Sequence, residues 1–371
     1  MIADRVRMDA YAEALRRCVK PGATVLDLGA GLGVFARLAC EIGASKVYAV
    51  DPDVSILVAK EIASLSRCAD VIEFVRDTST RIALPRKADV VVSDLRGVLP
   101  LFRRHIESII DARRRLLATD GVMVPSCDTL WLSIVEAPDL YNRHVAPWLD
   151  SQHSDGYEVV RRYLVNTWRR CELTADHVLA PPQCWATLDW SSIEGPDIGA
   201  TVILNPVRPA TVHGLLVWFD TELVDGVRFS NAPDEPPLIY GRAFFPLMSP
   251  VSVGPGDRVT VSLQANLVRD DYVWRWNTRV TDSEDLEKAA FSQSTFFGEP
   301  LDLEELHKGS EGHVPTLNTA GEVDSLILAS MGRGLAVGAI AREASRRFPS
   351  VHPDWQDALA RVSDLSRKYS K

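Results

Sequence analysis

The chain has 371 residues, enough for a large core in two or three domains, and its apolar (46%) and charged (25%) fractions are ordinary for a globular protein. A net charge of −9 argues against a general nucleic-acid binder, which needs a basic face for phosphate contacts. No apolar run approaches the roughly 18 residues of a membrane span, and Met1-Ile2-Ala3-Asp4-Arg5 lacks the apolar core of a signal peptide. The six cysteines (Cys18, Cys40, Cys68, Cys127, Cys171, Cys184) show no CxxC pair or zinc-ligand spacing and read as reduced thiols in a metal-free, cytoplasmic protein.

Residues 1–128 alternate short β-branched runs (Thr24–Leu28, Lys46–Val50, Val71–Val75, Ala88–Ser93) with helical patterns at Phe35–Glu41, Ile56–Ser66 and Phe102–Leu117. Nearly continuous apolar strands separated by helices predict an α/β, doubly wound Rossmann-like domain, whose ligands sit outside the carboxyl ends of its strands. After Pro125 the pattern changes. Alternations such as Thr129–Val135, Gly214–Asp220 and Arg258–Leu263, separated by Pro/Gly/Asp turns, predict an antiparallel β-barrel or sandwich over 129–291. A helical interruption at about 140–173, carrying Trp148 and Trp168, reads as an arm and leaves open whether it makes a homodimer. A polar linker is expected at 292–312, and helical patterns at Val323–Met331, Val337–Phe348 and Asp354–Tyr369 predict a small separate helical domain over 313–371.

The chemistry concentrates at Gly29-Ala-Gly-Leu-Gly33, between a strand and a helix. Glycines there let the backbone approach a ligand, and the helix N-terminus offers free amide donors. A dinucleotide fingerprint would want a third glycine at position 34, where Val34 stands, so the GxGxG spacing with Asp27 upstream suits S-adenosylmethionine better. Asp51 ends the second strand, where a carboxylate can accept both ribose hydroxyls. Asp77 ends the third and is positioned to accept from the adenine amino group. Ser93 closes the fourth strand and is grouped with these cofactor residues.

Val25–Gly33 followed by Gly43–Asp51 resembles class I methyltransferases, and within them the protein arginine methyltransferases. Asp4-Arg-Val-Arg-Met-Asp-Ala-Tyr11 is similar to that family's Asp-x-x-Arg…Tyr helix, which implies that Arg7 pairs with the methionyl carboxylate of the cofactor. Ala88–Gly97, Asp111–Pro125 and His213–Asp220 continue the resemblance, which covers roughly residues 4–280 and implies a methyltransferase domain followed by a barrel. The acceptor side departs from the family. Its pair of glutamates on the loop after the fourth strand, which grips a guanidinium through paired hydrogen bonds, is replaced by Asp94 and Arg103. Its Thr-His-Trp loop is replaced by Leu238-Ile239-Tyr240, and its acidic adenine contact aligns with Thr80, for which Asp77 is the substitute.

These departures imply retained methyl donation to a changed acceptor, a peptide or small molecule. Arg96 and Arg103, expected at the pocket mouth, would recognise an anionic or carboxylate-bearing acceptor. Asp94 is the first candidate to orient or deprotonate the nucleophile, with His105, His213 and Tyr240 behind it. Alternatives are an arginine N-methyltransferase acting on free arginine or a peptide, and a non-catalytic cofactor-binding adaptor. Pro315–Leu328 and the helices beyond are similar to the PqqD-like domain, a small winged-helix module, which implies a leader-peptide partner, with Ile340, Val362 and Leu365 as its core.

Overall fold

The computed structural model describes residues 2–145 and 158–370. Contacts divide the chain into two units, Met1–Pro300 and Leu301–Lys371. The first unit opens with α1 (Arg5–Cys18), β1 (Thr24–Leu28), α2 (Val34–Ile42), β2 (Lys46–Val50), α3 (Ser55–Ser64), β3 (Ile72–Val75), β4 (Ala88–Ser93), α4 (His105–Asp111) and β5 (Leu117–Val124). The five strands form one parallel sheet in the order β3-β2-β1-β4-β5. Every residue of β1 is buried, which is why the strand reads as a continuous apolar run without alternation. The strand order reverses between β1 and β4, and Leu28 pairs in register with Val50 on one side and Ser93 on the other. Gly29, Asp51 and Asp94 therefore leave neighbouring strands at one level, at the switch point where α/β sheets bind ligands.

The expected helix over Phe102–Leu117 starts only at His105, because Arg103 takes a left-handed φ of 45° that a helix cannot contain. α4 then runs into a π-helical turn, Ala112–Leu116, before β5. Cys40 on α2 and Cys68, just before β3, are joined by a disulfide in the core of this region, which corrects the expectation of reduced thiols throughout. Cys18, Cys127, Cys171 and Cys184 are free.

The remainder of the first unit is antiparallel. It comprises β6 (Cys127–Val135), α5 (Pro138–Val145), α6 (Glu158–Val165), β7 (Arg169–Cys171), β8 (Gln183–Asp189), β9 (Ile198–Leu204), β10 (Ala210–Val224), β11 (Val227–Ser230), β12 (Arg242–Val253), β13 (Arg258–Val268), β14 (Asp271–Thr281) and β15 (Glu287–Ser294). One sheet has the order β7-β12-β10-β6-β8 with β11 on β10, the other β15-β14-β13-β9. β14 alternates buried and exposed residues, as a strand with one wet face must. The helical interruption ends at Val165, earlier than expected, because the chain then enters β7 to pair with β12. Trp168 turns inward, 6.2 Å from Phe245 and 6.5 Å from Trp274 between ring centroids, so it belongs to the barrel core; Trp148 lies outside the described residues. Residues 292–294, expected in the linker, are part of β15. Gln293 there is fully buried and donates to the carbonyls of Val165 and Pro246.

The parallel sheet and the barrel are bolted together by one buried charge. Arg96, on the loop after β4, donates from Nη2 to both oxygens of Asp128 on β6, at 2.9 Å each. Asp128 has no exposed surface, and also accepts from Trp190 Nε1 (2.8 Å) and Thr221 Oγ1 (2.5 Å). The guanidinium lies against the rings of Phe219 and Phe229.

The second unit contains α7 (Leu303–Lys308), α8 (Thr319–Gly332), α9 (Val337–Arg347) and α10 (Trp355–Tyr369). Val323, Ile327, Ile340, Ala344, Val362 and Leu365 form its own apolar core. Among the described residues it has no strand, so the wing that the winged-helix expectation implies is absent. Among those residues no helix is long and apolar enough to cross a membrane.

Removing one partner of a buried ion pair strands the other charge, at a typical cost of about 3–5 kcal/mol. Asp128→Ala is therefore expected to lower stability of the full chain by about that amount, read as a shifted urea midpoint. The double variant Arg96→Met/Asp128→Leu should recover most of the loss.

Candidate active site

The glycine loop after β1 has the backbone that its sequence demands. Gly29, Gly31 and Gly33 all sit at left-handed φ (72°, 51° and 71°), a region open to glycine at little cost. A Cβ at Gly29 would run into the Leu95 side chain, so this position also lacks room. Asp51 closes the loop: its Oδ2 accepts from the Gly31 amide (2.9 Å) and its Oδ1 from the Asp53 amide (2.8 Å). Gly29, Asp51 and Asp77 line one cleft of about 920 Å³, together with Leu28, Leu95 and the Arg103–His105 segment. The far rim is the β13–β14 hairpin tip, Val268–Asp271, to which the sequence pattern gives no role in the site.

A glycine loop of left-handed backbone without room for a Cβ at Gly29, with a carboxylate at the end of the next strand, fits the ribose and main-chain contacts of S-adenosylmethionine. Asp27 is placed differently from its neighbours. It is buried, and its Oδ2 accepts from the Ala36 amide (2.9 Å), tying the strand to the first turn of α2. Burial pushes its carboxyl up to about 7, with the Ala36 hydrogen bond opposing and the Asp51 and Asp94 charges adding to the rise. Asp27 therefore shapes the loop from behind. Ser93 is likewise buried, and its carbonyl accepts from the Tyr11 hydroxyl at 3.1 Å.

The acceptor-side residues meet in a second, drier cluster. Asp94 pairs with Arg7, whose Nε donates to Asp94 Oδ2 (2.5 Å) and to the Tyr240 hydroxyl (2.9 Å). Tyr240 donates to Asp94 at 2.7–2.8 Å. Arg96 Nη1 lies 3.5 Å from the same carboxylate. α1 is held over this cluster at two points: Asp4 Oδ2 accepts from the Ile239 amide, and Tyr11 stacks on Phe35 with 4.5 Å between centroids. Burial alone would lower the Arg7 pKa, but Asp94 and Tyr240 beside it more than offset that and raise it. Burial and the Asp94 charge push the Tyr240 phenol well up.

Arg7, which the resemblance assigns to a methionyl carboxylate, is paired with Asp94 in the dry cluster. Three other expectations change. Arg96 is expected at the pocket mouth, but it is buried and committed to Asp128. His105 is a candidate base in the sequence; it is buried, stacks on Trp190 at 5.1 Å, and burial with the nearby Arg96 charge pushes it down to about 3. A group so weakly basic takes up a proton poorly near neutrality. His213 is held on β10 by the Ala137 amide and the Thr211 carbonyl, and does not line the cleft. Arg103 does line it, exposed, with its guanidinium over Phe102. Asp128 and its partners escape the sequence analysis; an aspartate within the apolar Cys127–Val135 strand is the signal that points to it.

Residues 11–127 match the family model described as ribosomal protein L11 methyltransferase. The chain is 30% identical over 300 residues to protein arginine N-methyltransferase PRMT10 of Oryza sativa subsp. japonica, covering 71% of this chain and 78% of that relative. It is 27% identical over 276 residues (71% and 74%) to an arginine N(omega)-methyltransferase of Streptomyces achromogenes subsp. streptozoticus. Among solved structures, the PRMT1 enzyme–prozyme heterotetrameric complex with AdoHcy from Trypanosoma brucei superposes with a TM-score of 0.73 at 21% identity. That match covers 79% of this chain and 95% of that one, a likeness of fold.

Hydrogen bonds to a charged group contribute about 1.5–3 kcal/mol, so Asp51→Ala should weaken S-adenosylhomocysteine binding about 10- to 100-fold in a calorimetric titration. A carboxyl whose folded pKa is raised lets the folded state keep a proton that the unfolded chain releases between about pH 4 and 7. The stability it confers is present at low pH and falls as pH rises through that window. The stability of Asp27→Asn relative to the parent should therefore grow from pH 4 to 7 and then level off, as measured by thermal unfolding of both proteins across pH.

Proposed function

The chain belongs to the protein arginine N-methyltransferase family, and from that premise we propose that it methylates an acceptor other than ordinary protein arginine. It is an S-adenosylmethionine-dependent methyltransferase; the finer question is what it methylates. The observation that carries the proposal is the engagement of Asp94. The family pattern places two glutamates around the guanidinium. Here the one carboxylate at those positions is already paired with Arg7 and Tyr240, and Arg103 stands at the other. A substrate guanidinium would have to displace an internal one and face a second cation.

S-adenosylmethionine, when bound, supplies an electrophilic methyl group on a sulfonium. Gly29, Gly31, Gly33, Asp51 and Asp77 would hold it, while Asp27 and Ser93 support the strand ends behind it. Leu28, Leu95 and Phe102 keep the reacting region apolar. Asp94, held by Arg7 and by the Tyr240 hydroxyl, would fix the geometry of the reacting region, with Tyr240 acting through it.

A second reading keeps arginine, as the free amino acid or in a peptide, and the name of the Streptomyces relative, arginine N(omega)-methyltransferase, favours it. We also read the second unit as a PqqD-like module that docks a leader peptide. A groove of about 390 Å³ lined by Leu328, Met331, Leu335, Val337 and Tyr369 supports this, and the missing wing counts against it. The oligomer, with the α5–α6 segment as its contact, is proposed on the same footing.

Incubating the full chain with methyl-labelled donor and three acceptors tests the main proposal: an arginine-glycine-rich peptide, free arginine, and small carboxylate- or phosphate-bearing nucleophiles. Label is expected in the anionic acceptors and not in the peptide. Peptide labelling at a comparable or higher rate overturns it, and labelling of free arginine alone selects the free amino acid within the second reading.

A further inference from the structure

Among the described residues three non-glycine positions hold a left-handed backbone: Arg103 (φ 45°), Arg269 (φ 60°) and Asp285 (φ 64°). Aspartate tolerates that conformation, whereas a long unbranched side chain is strained there. Both arginines line the same cleft. Arg103 sits on the bend between β4 and α4. Arg269 begins the two-residue turn that joins β13 to β14, whose flanking residues Val268 and Asp271 pair in register. Asp270, the second central residue, is not at positive φ, and a two-residue hairpin turn with φ above zero only at its first central residue ordinarily takes glycine there. Strain kept at such a position marks a side chain with another use.

Both arginines are also uncommitted. Elsewhere around this loop the cations are paired: Arg96 with Asp128, Arg104 with Glu107, Arg115 with Asp111. Among the described residues Arg103 and Arg269 have no ion pair, and Arg103 only rests on Phe102. The acidic residues of the cleft accept from backbone amides and not from either arginine: Asp51 from Gly31 and Asp53, Asp53 from Ser55, Asp77 from Thr78, Asp271 from Tyr272. Asp270 lies close enough to Arg104 to act on its charge.

We propose that Arg103 and Arg269 form a two-sided clasp for an oxyanion, the carboxylate or phosphate of the methyl acceptor, at the cleft between the β4–α4 loop and the β13–β14 tip. Arginine suits that task because its planar fork matches two oxygens at once. The clasp rests on the reading that the acceptor is not protein arginine. It replaces the expected partner of Arg103, since Arg96 is buried elsewhere, with a residue from the barrel more than 160 positions away in sequence. The barrel thereby supplies acceptor specificity to a cleft whose cofactor contacts come from the parallel sheet.

The experiment titrates inorganic phosphate and, separately, succinate into the full chain saturated with S-adenosylhomocysteine, by calorimetry, for the parent, Arg103→Ala, Arg269→Gly and Arg279→Ala, the last an arginine of β14 outside the cleft and paired with Glu287. Saturable binding of at least one probe is expected. It should weaken tenfold or more in Arg103→Ala and in Arg269→Gly, and be unchanged in Arg279→Ala. Arg269→Gly relieves the turn, so its melting temperature should hold or rise while the anion affinity falls, a combination that a merely structural role would not give. Which probe binds more tightly separates a phosphate-bearing from a carboxylate-bearing acceptor. No saturable binding of either probe, or equal affinity in all four proteins, overturns the clasp. Because anion binding is read without methyl transfer, labelling of the arginine-glycine-rich peptide would sink the acceptor reading while leaving a measured clasp in place.

Discussion

A guanidinium removed from water must be surrounded by oxygens and ring faces, and the arrangement around Arg96 meets that requirement with groups from both halves of the first unit. Its cation comes from the loop after β4; the carboxylate of Asp128, the Thr221 hydroxyl and the Trp190 indole come from the barrel. Phe219 and Phe229 close the sides. A buried ion pair adds little net stability compared with well-packed apolar residues, but it tolerates no misalignment, because either charge alone in that place is costly. The geometry of the β4 loop, and with it the position of Asp94 two residues earlier, is therefore fixed from the barrel side.

That constraint explains the chemistry of the cluster above it. With Arg96 close on one side and Arg7 on the other, Asp94 is a single carboxylate among cations, and Tyr240 donates a further hydrogen bond to it. The cluster is saturated within the chain. Such an arrangement suits holding a reacting region in one geometry, and suits poorly the capture of another guanidinium. The side of the cleft that remains open to an acceptor is the other one, where Arg103 and the β13–β14 tip face the ends of β1 and β2.

Much of the cofactor side is legible in the amino-acid order. Glycine spacing, an acidic residue one position past a β-branched run, and the alternation of strand and helix are local features, and they specify the loop, the strand ends and the sheet. Asp27 shows the limit. Its position in the motif is plain, yet whether its carboxyl faces the ligand or the helix behind depends on which face of β1 packs on α2. The same limit applies to Arg96 and His105, whose burial is set by barrel residues that lie beyond position 126. Charge singles out Arg103 in the sequence, but its backbone conformation and its partner on a hairpin tip are not visible there.

The sequence by itself determined the α/β order of the first part, the antiparallel character of the second, the helices of the C-terminal unit and the position of the glycine cradle, because each is carried by periodicity or backbone tolerance over a few adjacent residues. Only the tertiary structure decided which charges are paired. It joined Arg7 to Asp94, Arg96 to Asp128 and Cys40 to Cys68, and brought Arg269 to the rim of a cleft begun at Leu28. Those outcomes depend on the distance between residues far apart in the chain and on the loss of water around them, and neither quantity is written in local pattern.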